Sequence, residues 1–159
     1  MSIEEDDREE EPAHDSTREA RALVAEDDPA MRELLVQILR AERCAVVDVA
    51  SGDEMLHVLT VMNAAAWPHD AFDVIVADHR MPHCTGLDVV ARLRRASCTT
   101  PVLLVSAFAD APLLTRADEL EAMVMAKPFS IEVFRLALGV LLSLRSRGAR
   151  RPKETEYIQ

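Results

Sequence analysis

Short runs of consecutive apolar residues alternate along this chain with stretches whose apolar residues recur every three or four positions. The first run, Arg21–Asp28 (RALVAEDD), ends in three acids. Pro29 then opens a stretch with Met31, Leu34, Leu35, Ile38 and Leu39 apolar, the stripe of an amphipathic helix, with Asp28 placed as its N-cap. Cys44–Ala50 (CAVVDVA) predicts a second strand, and Ser51 and Gly52 lead into a helix carrying Met55, Leu56, Leu59 and Met62. Phe72–Asp78 (FDVIVAD) predicts a third strand, followed by a helix with Leu87, Val90 and Leu93. Pro101–Ala107 and Met123–Phe129 predict the fourth and fifth strands. Between them LLTRADELEA predicts a short helix, and Ile131, Phe134, Ala137 and Leu141 mark the last one. The stretch Asn63–Asp70, with Trp67 and Pro68, reads as an extended surface connection before the third strand.

Strands that are apolar at consecutive positions, each followed by a helix, belong to a parallel sheet covered on both faces. Five such units predict an α/β, doubly wound, five-stranded parallel sheet. In sheets of this kind ligands sit beyond the carboxyl ends of the strands. That edge receives Glu26, Asp27 and Asp28 after the first strand, Asp78 after the third, Ser106 after the fourth and Lys127 after the fifth.

A chain of 159 residues suffices for one well-cored domain. Residues 1–20 are acidic and poor in large apolar groups, so they are expected to form a disordered tail. The domain then spans 21–147, with a C-terminal tail over 148–159. The basic residues Arg145, Arg147, Arg150, Arg151 and Lys153 read as a solvated helix terminus favoured by the helix dipole. No apolar run approaches the ~18 residues of a membrane span, and acids stand where a signal peptide would carry bases, so a cytoplasmic location is expected. The net charge of −10 lies largely in Glu4–Glu19, so its distribution matters more than its sum, and direct nucleic-acid binding is not expected because no helix-turn-helix segment is read after the last helix. Cys44, Cys84 and Cys98 lack C-x-x-C pairing and are read as reduced thiols. His79, His83 and Cys84 are read as loop residues, since no second His/Cys cluster completes a tetrahedral metal shell.

Carboxylates converging on one sheet edge repel one another unless a cation is shared, and oxygen-rich sites of this kind suit Mg²⁺. With charge neutralised, Asp78 is placed to attack a phosphoryl group. Ser106 would then donate to a phosphoryl oxygen and Lys127 would pair with the new charge.

On these residues the sequence resembles the receiver domain of bacterial two-component response regulators, of the stand-alone type. The motifs are the acids of LVAEDDPAMR, the ADHRMPHCTG loop, VSA at Val105–Ala107 and AKPF at Ala126–Phe129. The resemblance covers about Arg21–Arg147 and implies a flavodoxin-like receiver fold. It implies that Asp78 accepts a phosphoryl group from a sensor histidine kinase or phosphotransfer protein. Glu26, Asp27, Asp78 and the backbone carbonyl of Arg80 would then hold Mg²⁺. Ser106 matches the switch hydroxyl, and Lys127 the phosphate-pairing lysine before a usually cis bond to Pro128. Met81, Pro82 and Gly86 are expected to shape the loop after Asp78, with Gly86 at a close approach. Arg80 and Phe108 match the two rim positions, where the family controls access of hydrolytic water. The resemblance further implies a downstream protein target bound on phosphorylation. A homodimer is allowed, since many receivers dimerise through the fourth helix, fifth strand and fifth helix.

Two departures stand out: Glu26 replaces the commoner aspartate, and Val124 occupies the position where many receivers carry a switching Tyr or Phe. Val124 keeps open a second function, a phosphorylation-independent adaptor. A third, a phosphohydrolase of the haloacid-dehalogenase kind, requires an acid/base aspartate two residues after the nucleophile, where this chain has Arg80. The chain is therefore expected to be a signalling module and not an enzyme.

Overall fold

The computed structural model describes residues 19–66 and 71–146. The expected tails and Trp67–Asp70 lie outside these residues, apart from the few positions at their inner ends. The elements are β1 (Ala20–Ala25), α1 (Pro29–Ala41), β2 (Cys44–Val49), α2 (Gly52–Ala66), β3 (Val74–Asp78), α3 (Gly86–Arg95), β4 (Val102–Ser106), α4 (Ala111–Glu119), β5 (Met123–Ala126) and α5 (Ile131–Ser146). All pairings are parallel, in the order β2-β1-β3-β4-β5. This is the doubly wound five-stranded sheet that the apolar runs predict.

Alternate strand residues feed two cores, because successive side chains point to opposite faces. Ala22, Val24, Val74, Val76, Leu103 and Val105 pack with Leu35 and Leu39 of α1 and Phe134 and Leu138 of α5. Leu23, Ala25, Ile75, Ala77 and Leu104 pack on the other face, with Met55 of α2, Val89 and Val90 of α3, and Leu113 of α4. Burial on both sides explains why β3 and β4 are apolar at every position until their terminal Asp78 and Ser106.

Several boundaries differ from expectation. β1 begins one residue earlier than the apolar run, since Ala20 pairs with Cys44 in the sheet. β3 starts at Val74, because Asp73 is engaged beside the sheet: its backbone N–H donates to Arg21 O (2.7 Å), and its side chain accepts from Arg21 N (2.8 Å). Asn63–Ala66 continue α2 instead of forming a connection, in keeping with the high helix propensity of three successive alanines. α4 starts at Ala111, capped by the Asp110 side chain, and β5 ends at Ala126, ahead of the cis Lys127–Pro128 bond. Gly86 opens α3 instead of lying before it.

Candidate functional site

The strand order reverses between β1 and β3, so their carboxyl ends border the crevice where an open parallel sheet binds ligands. Ala25 pairs with Ala77, which brings Glu26 and Asp27 beside Asp78; Asp78 in turn pairs with Val105, one residue before Ser106. Carboxylate oxygens of Glu26, Asp27 and Asp78 all lie within 4.8 Å of one another. Glu26 and Asp78 are buried, whereas Asp27 faces solvent. Such a set of hard oxygen donors at the sheet edge fits a divalent cation that retains water on its open side.

Lys127, just past β5, supplies the compensating charge. Its Nζ donates to Glu26 Oε2 (2.9 Å) and lies 3.6 Å from Asp78 Oδ2. The other Glu26 oxygen accepts from the backbone N–H of Asp28 (3.2 Å). Burial pushes the Glu26 carboxyl above its ordinary value, against the pull of the Lys127 hydrogen bond. Burial alone would lower the Lys127 ammonium, but its hydrogen bond to Glu26 and the charge of Asp78 outweigh it, and the net shift is upward. The lysine therefore stays charged, held mainly by the longer carboxylate side chain that this sequence carries at position 26.

The rims of the crevice are local structures with identifiable causes. Asp28 caps α1 by accepting from Ala30 N (2.8 Å) and Met31 N (2.9 Å), as the sequence predicts. After Asp78 the chain turns through His83, which has a positive φ of 67°, to Thr85, whose hydroxyl accepts from Asp88 N (3.1 Å) while the Asp88 carboxylate accepts from Thr85 N (3.1 Å). That reciprocal pair is a capping box. A Cβ on Gly86 would stand 2.6 Å from the carbonyl oxygen of Asp78 and 2.9 Å from Leu104 Cδ2, which accounts for a glycine there.

Ser106 is fully buried. Its Oγ donates to Phe108 O (3.0 Å) and accepts from Phe108 N (3.2 Å), so the hydroxyl folds the β4–α4 loop onto itself. Arg80 has its backbone N–H directed at Asp78 Oδ1 (3.3 Å) and its guanidinium carbon 4.8 Å from the centre of the Phe108 ring. Val124 is half-buried and packs against the α2–α4 core.

His79, His83 and Cys84 do not join a cation site. The single grouping of three or more potential ligands among the described residues is Glu26, Asp27 and Asp78. Burial pushes the Cys84 thiol upward, and burial, then the Arg80 charge, holds the His79 imidazole below its ordinary value. Sequence reasoning missed Arg32, on α1, whose Nη1 donates to Glu26 O (2.8 Å) and whose Nε lies 3.4 Å from Asp48 Oδ2, tying the acidic loop to β2. Its signal was faint, an arginine four residues past an N-cap.

Comparison with known proteins agrees with this geometry. The family model of the response regulator receiver domain matches residues 22–138. Transcriptional regulatory protein TcrA of Mycobacterium tuberculosis is 38% identical over 87 residues, 55% of this chain and 31% of that protein. Transcriptional regulatory protein PdtaR of the same species is 28% identical over 125 residues, 77% of this chain and 57% of that one. The chain thus spans about a third to somewhat over half of these relatives. Among solved structures, the chemotaxis protein CheY4 of Vibrio cholerae superposes with a TM-score of 0.67 at 25% identity, covering 79% of this chain and all of that one. With the match reaching from β1 into α5 and the acids gathered at the sheet edge, the chain belongs to the response regulator receiver domain family of two-component systems.

Proposed function

We propose that this protein is a phosphoacceptor receiver, in which Asp78 takes a phosphoryl group from a sensor histidine kinase or phosphotransfer protein and the altered surface binds a downstream protein. The observation that carries this reading is the placement of Asp78 within 4.8 Å of the Glu26 and Asp27 carboxylates, with Lys127 Nζ at 3.6 Å. Glu26, Asp27, Asp78 and the Arg80 carbonyl would hold Mg²⁺, which supplies charge neutralisation for the attacking carboxylate and the incoming phosphoryl oxygens. A carboxylate oxygen of Asp78 forms the new bond to phosphorus while the bond from phosphorus to the donor imidazole breaks. Lys127 shifts its ammonium from Glu26 to a phosphoryl oxygen. The Ser106 hydroxyl gives up Phe108 O and donates to another. Release of Phe108 O frees the β4–α4 loop, and this is the conformational output. A cytoplasmic location goes with the same reading; no helix among the described residues is long and apolar enough to cross a membrane.

A second reading, a phosphorylation-independent adaptor, draws on Val124, whose short apolar side chain lacks the aromatic bulk of a switching residue. Intact-mass measurement after incubation with acetyl phosphate and Mg²⁺ separates the two. A single added phosphoryl group in the parent and none in Asp78→Asn supports the acceptor; no addition to the parent leaves the adaptor.

A further inference from the structure

Past Ala25 the chain leaves the sheet, and each hydrogen-bonding group of Glu26 finds a different partner. Its N–H donates to Val49 O (3.1 Å), Oε1 accepts from Asp28 N (3.2 Å), and Oε2 accepts from Lys127 Nζ (2.9 Å). Its carbonyl oxygen accepts from Nη1 of Arg32 (2.8 Å), on the first turn of α1. That carbonyl belongs to the peptide unit joining Glu26 to Asp27. A peptide unit is planar, so fixing its oxygen also fixes the N–H and the Cα of Asp27. The constraint falls on the carboxylate that burial does not hold, because Asp27 faces solvent whereas Glu26 and Asp78 are buried.

The direction of Arg32 is set in turn by a second contact. Its Nε lies 3.4 Å from Asp48 Oδ2, and Asp48 pairs in the sheet with Val24, two residues before Glu26. A guanidinium is a rigid planar fork, so an anchor on one nitrogen orients the others. The backbone N–H of Arg32 donates to Asp28 O (2.9 Å), so the same residue also closes the first turn of α1 on the acidic loop.

We infer that Arg32 is a positioning residue for the divalent cation, holding the Glu26–Asp27 peptide so that both carboxylates face Asp78 before the ion arrives. This rests on the acceptor reading only in taking Glu26, Asp27 and Asp78 as the cation ligands. The guanidinium acts on a cation in two opposed ways. As a like charge near the site it repels the ion, and on that account its removal would strengthen binding. As an outer contact that orients the ligands it favours the ion, and on that account its removal would weaken binding. Orientation outweighs repulsion, because the charge is already offset by Asp48 and by the carbonyl it holds.

Isothermal titration of the unphosphorylated full chain with Mg²⁺ alone reads this sign without involving phosphoryl transfer. Arg32→Met should weaken Mg²⁺ binding about tenfold, the lower end of the losses seen when an outer partner of a metal ligand is removed. Arg32→Lys keeps the charge without the planar fork, and it should lose most of the same affinity. Circular dichroism and melting temperature establish that each variant is folded in the titration; a role confined to stability would lower the melting temperature and leave the affinity of folded molecules unchanged. The inference is overturned if either variant, once folded, binds Mg²⁺ as tightly as the parent or more tightly. If the parent itself binds no Mg²⁺ in the millimolar range, the acceptor reading falls together with it, whereas binding by the parent with unchanged variants overturns the positioning role alone.

Discussion

The guanidinium carbon of Arg80 sits 4.8 Å from the centre of the Phe108 ring, so the side chains two residues past Asp78 and two past Ser106 are in contact. A cation over an aromatic face is worth about 0.5–1 kcal/mol at an exposed site, and Phe108 is 63% exposed. Once Asp78 is phosphorylated, hydrolysis requires a water in line with phosphorus. Neither side chain acts as a base at neutral pH, and we propose that the pair shields the approach. Replacing both, as Arg80→Asn with Phe108→Glu, should shorten the phosphorylated lifetime several-fold, measured as loss of the phospho-form after the donor is removed at constant Mg²⁺. Because the two act as one cover, each single variant should deliver most of the effect, and equal decay of parent and double variant would refute the shielding.

That pairing marks the boundary of what the sequence discloses. Both residues stand out as rim positions, yet their contact joins two loops whose side-chain directions depend on tertiary packing. The central strands β1, β3 and β4 are legible because both faces are buried, which leaves apolar runs ending abruptly in Glu26, Asp78 and Ser106. The Asp28 cap is equally legible, being a local hydrogen bond with a residue-type signature. The latch between Ser106 and Phe108 leaves no periodic trace, and neither does the contact of Arg32 with Glu26 O. The end of α2 is not legible in the sequence, because Asn63 and the following alanines break the apolar stripe while retaining helix propensity.

Gly86 should tolerate no side chain. An added methyl would meet the carbonyl of Asp78 at 2.6 Å, and that backbone is fixed by the sheet. Gly86→Ala should destabilise the domain by about 1–3 kcal/mol, the range for overpacking a rigid site. It should also lower the rate of phosphorylation by acetyl phosphate among molecules that remain folded, since relief of the clash moves Asp78. Unchanged denaturant midpoint and rate would show that the loop yields without cost.

The capping box of α3 carries a pH signature. The hydrogen bonds from Thr85, side chain first and then backbone, hold the Asp88 carboxyl below its ordinary value. A depressed carboxyl contributes stability above its unfolded pKa of about 3.9 and loses it as pH falls through the folded value. Thr85→Ala should cost about 1 kcal/mol at neutral pH, the usual worth of an N-cap. Asp88→Asn should show a constant deficit at neutral pH that closes in acid below about pH 4. Denaturant unfolding across this range measures both, and a deficit that persists unchanged in acid would exclude the carboxylate as its source.

Lys127 should prove to be the counter-ion that makes the acidic cluster tolerable in the absence of metal. Glu26 is fully buried with its charge facing Lys127 Nζ at 2.9 Å, so removing the ammonium leaves an uncompensated carboxylate beside Asp78. Breaking a fully buried pair costs about 3–5 kcal/mol; here 19% of the lysine side chain is accessible, and a loss nearer 2 kcal/mol is expected for Lys127→Met. Burial already raises the Glu26 carboxyl, and loss of its lysine partner raises it further. A group with a raised folded pKa adds stability at low pH and forfeits it as pH rises through that value, so the deficit of the variant should shrink as pH falls. Millimolar Mg²⁺ should raise the melting temperature of Lys127→Met more than that of the parent, because the cation replaces the missing charge. Equal shifts in the two proteins would mean that Lys127 does not neutralise the cluster, whatever its part in phosphoryl transfer.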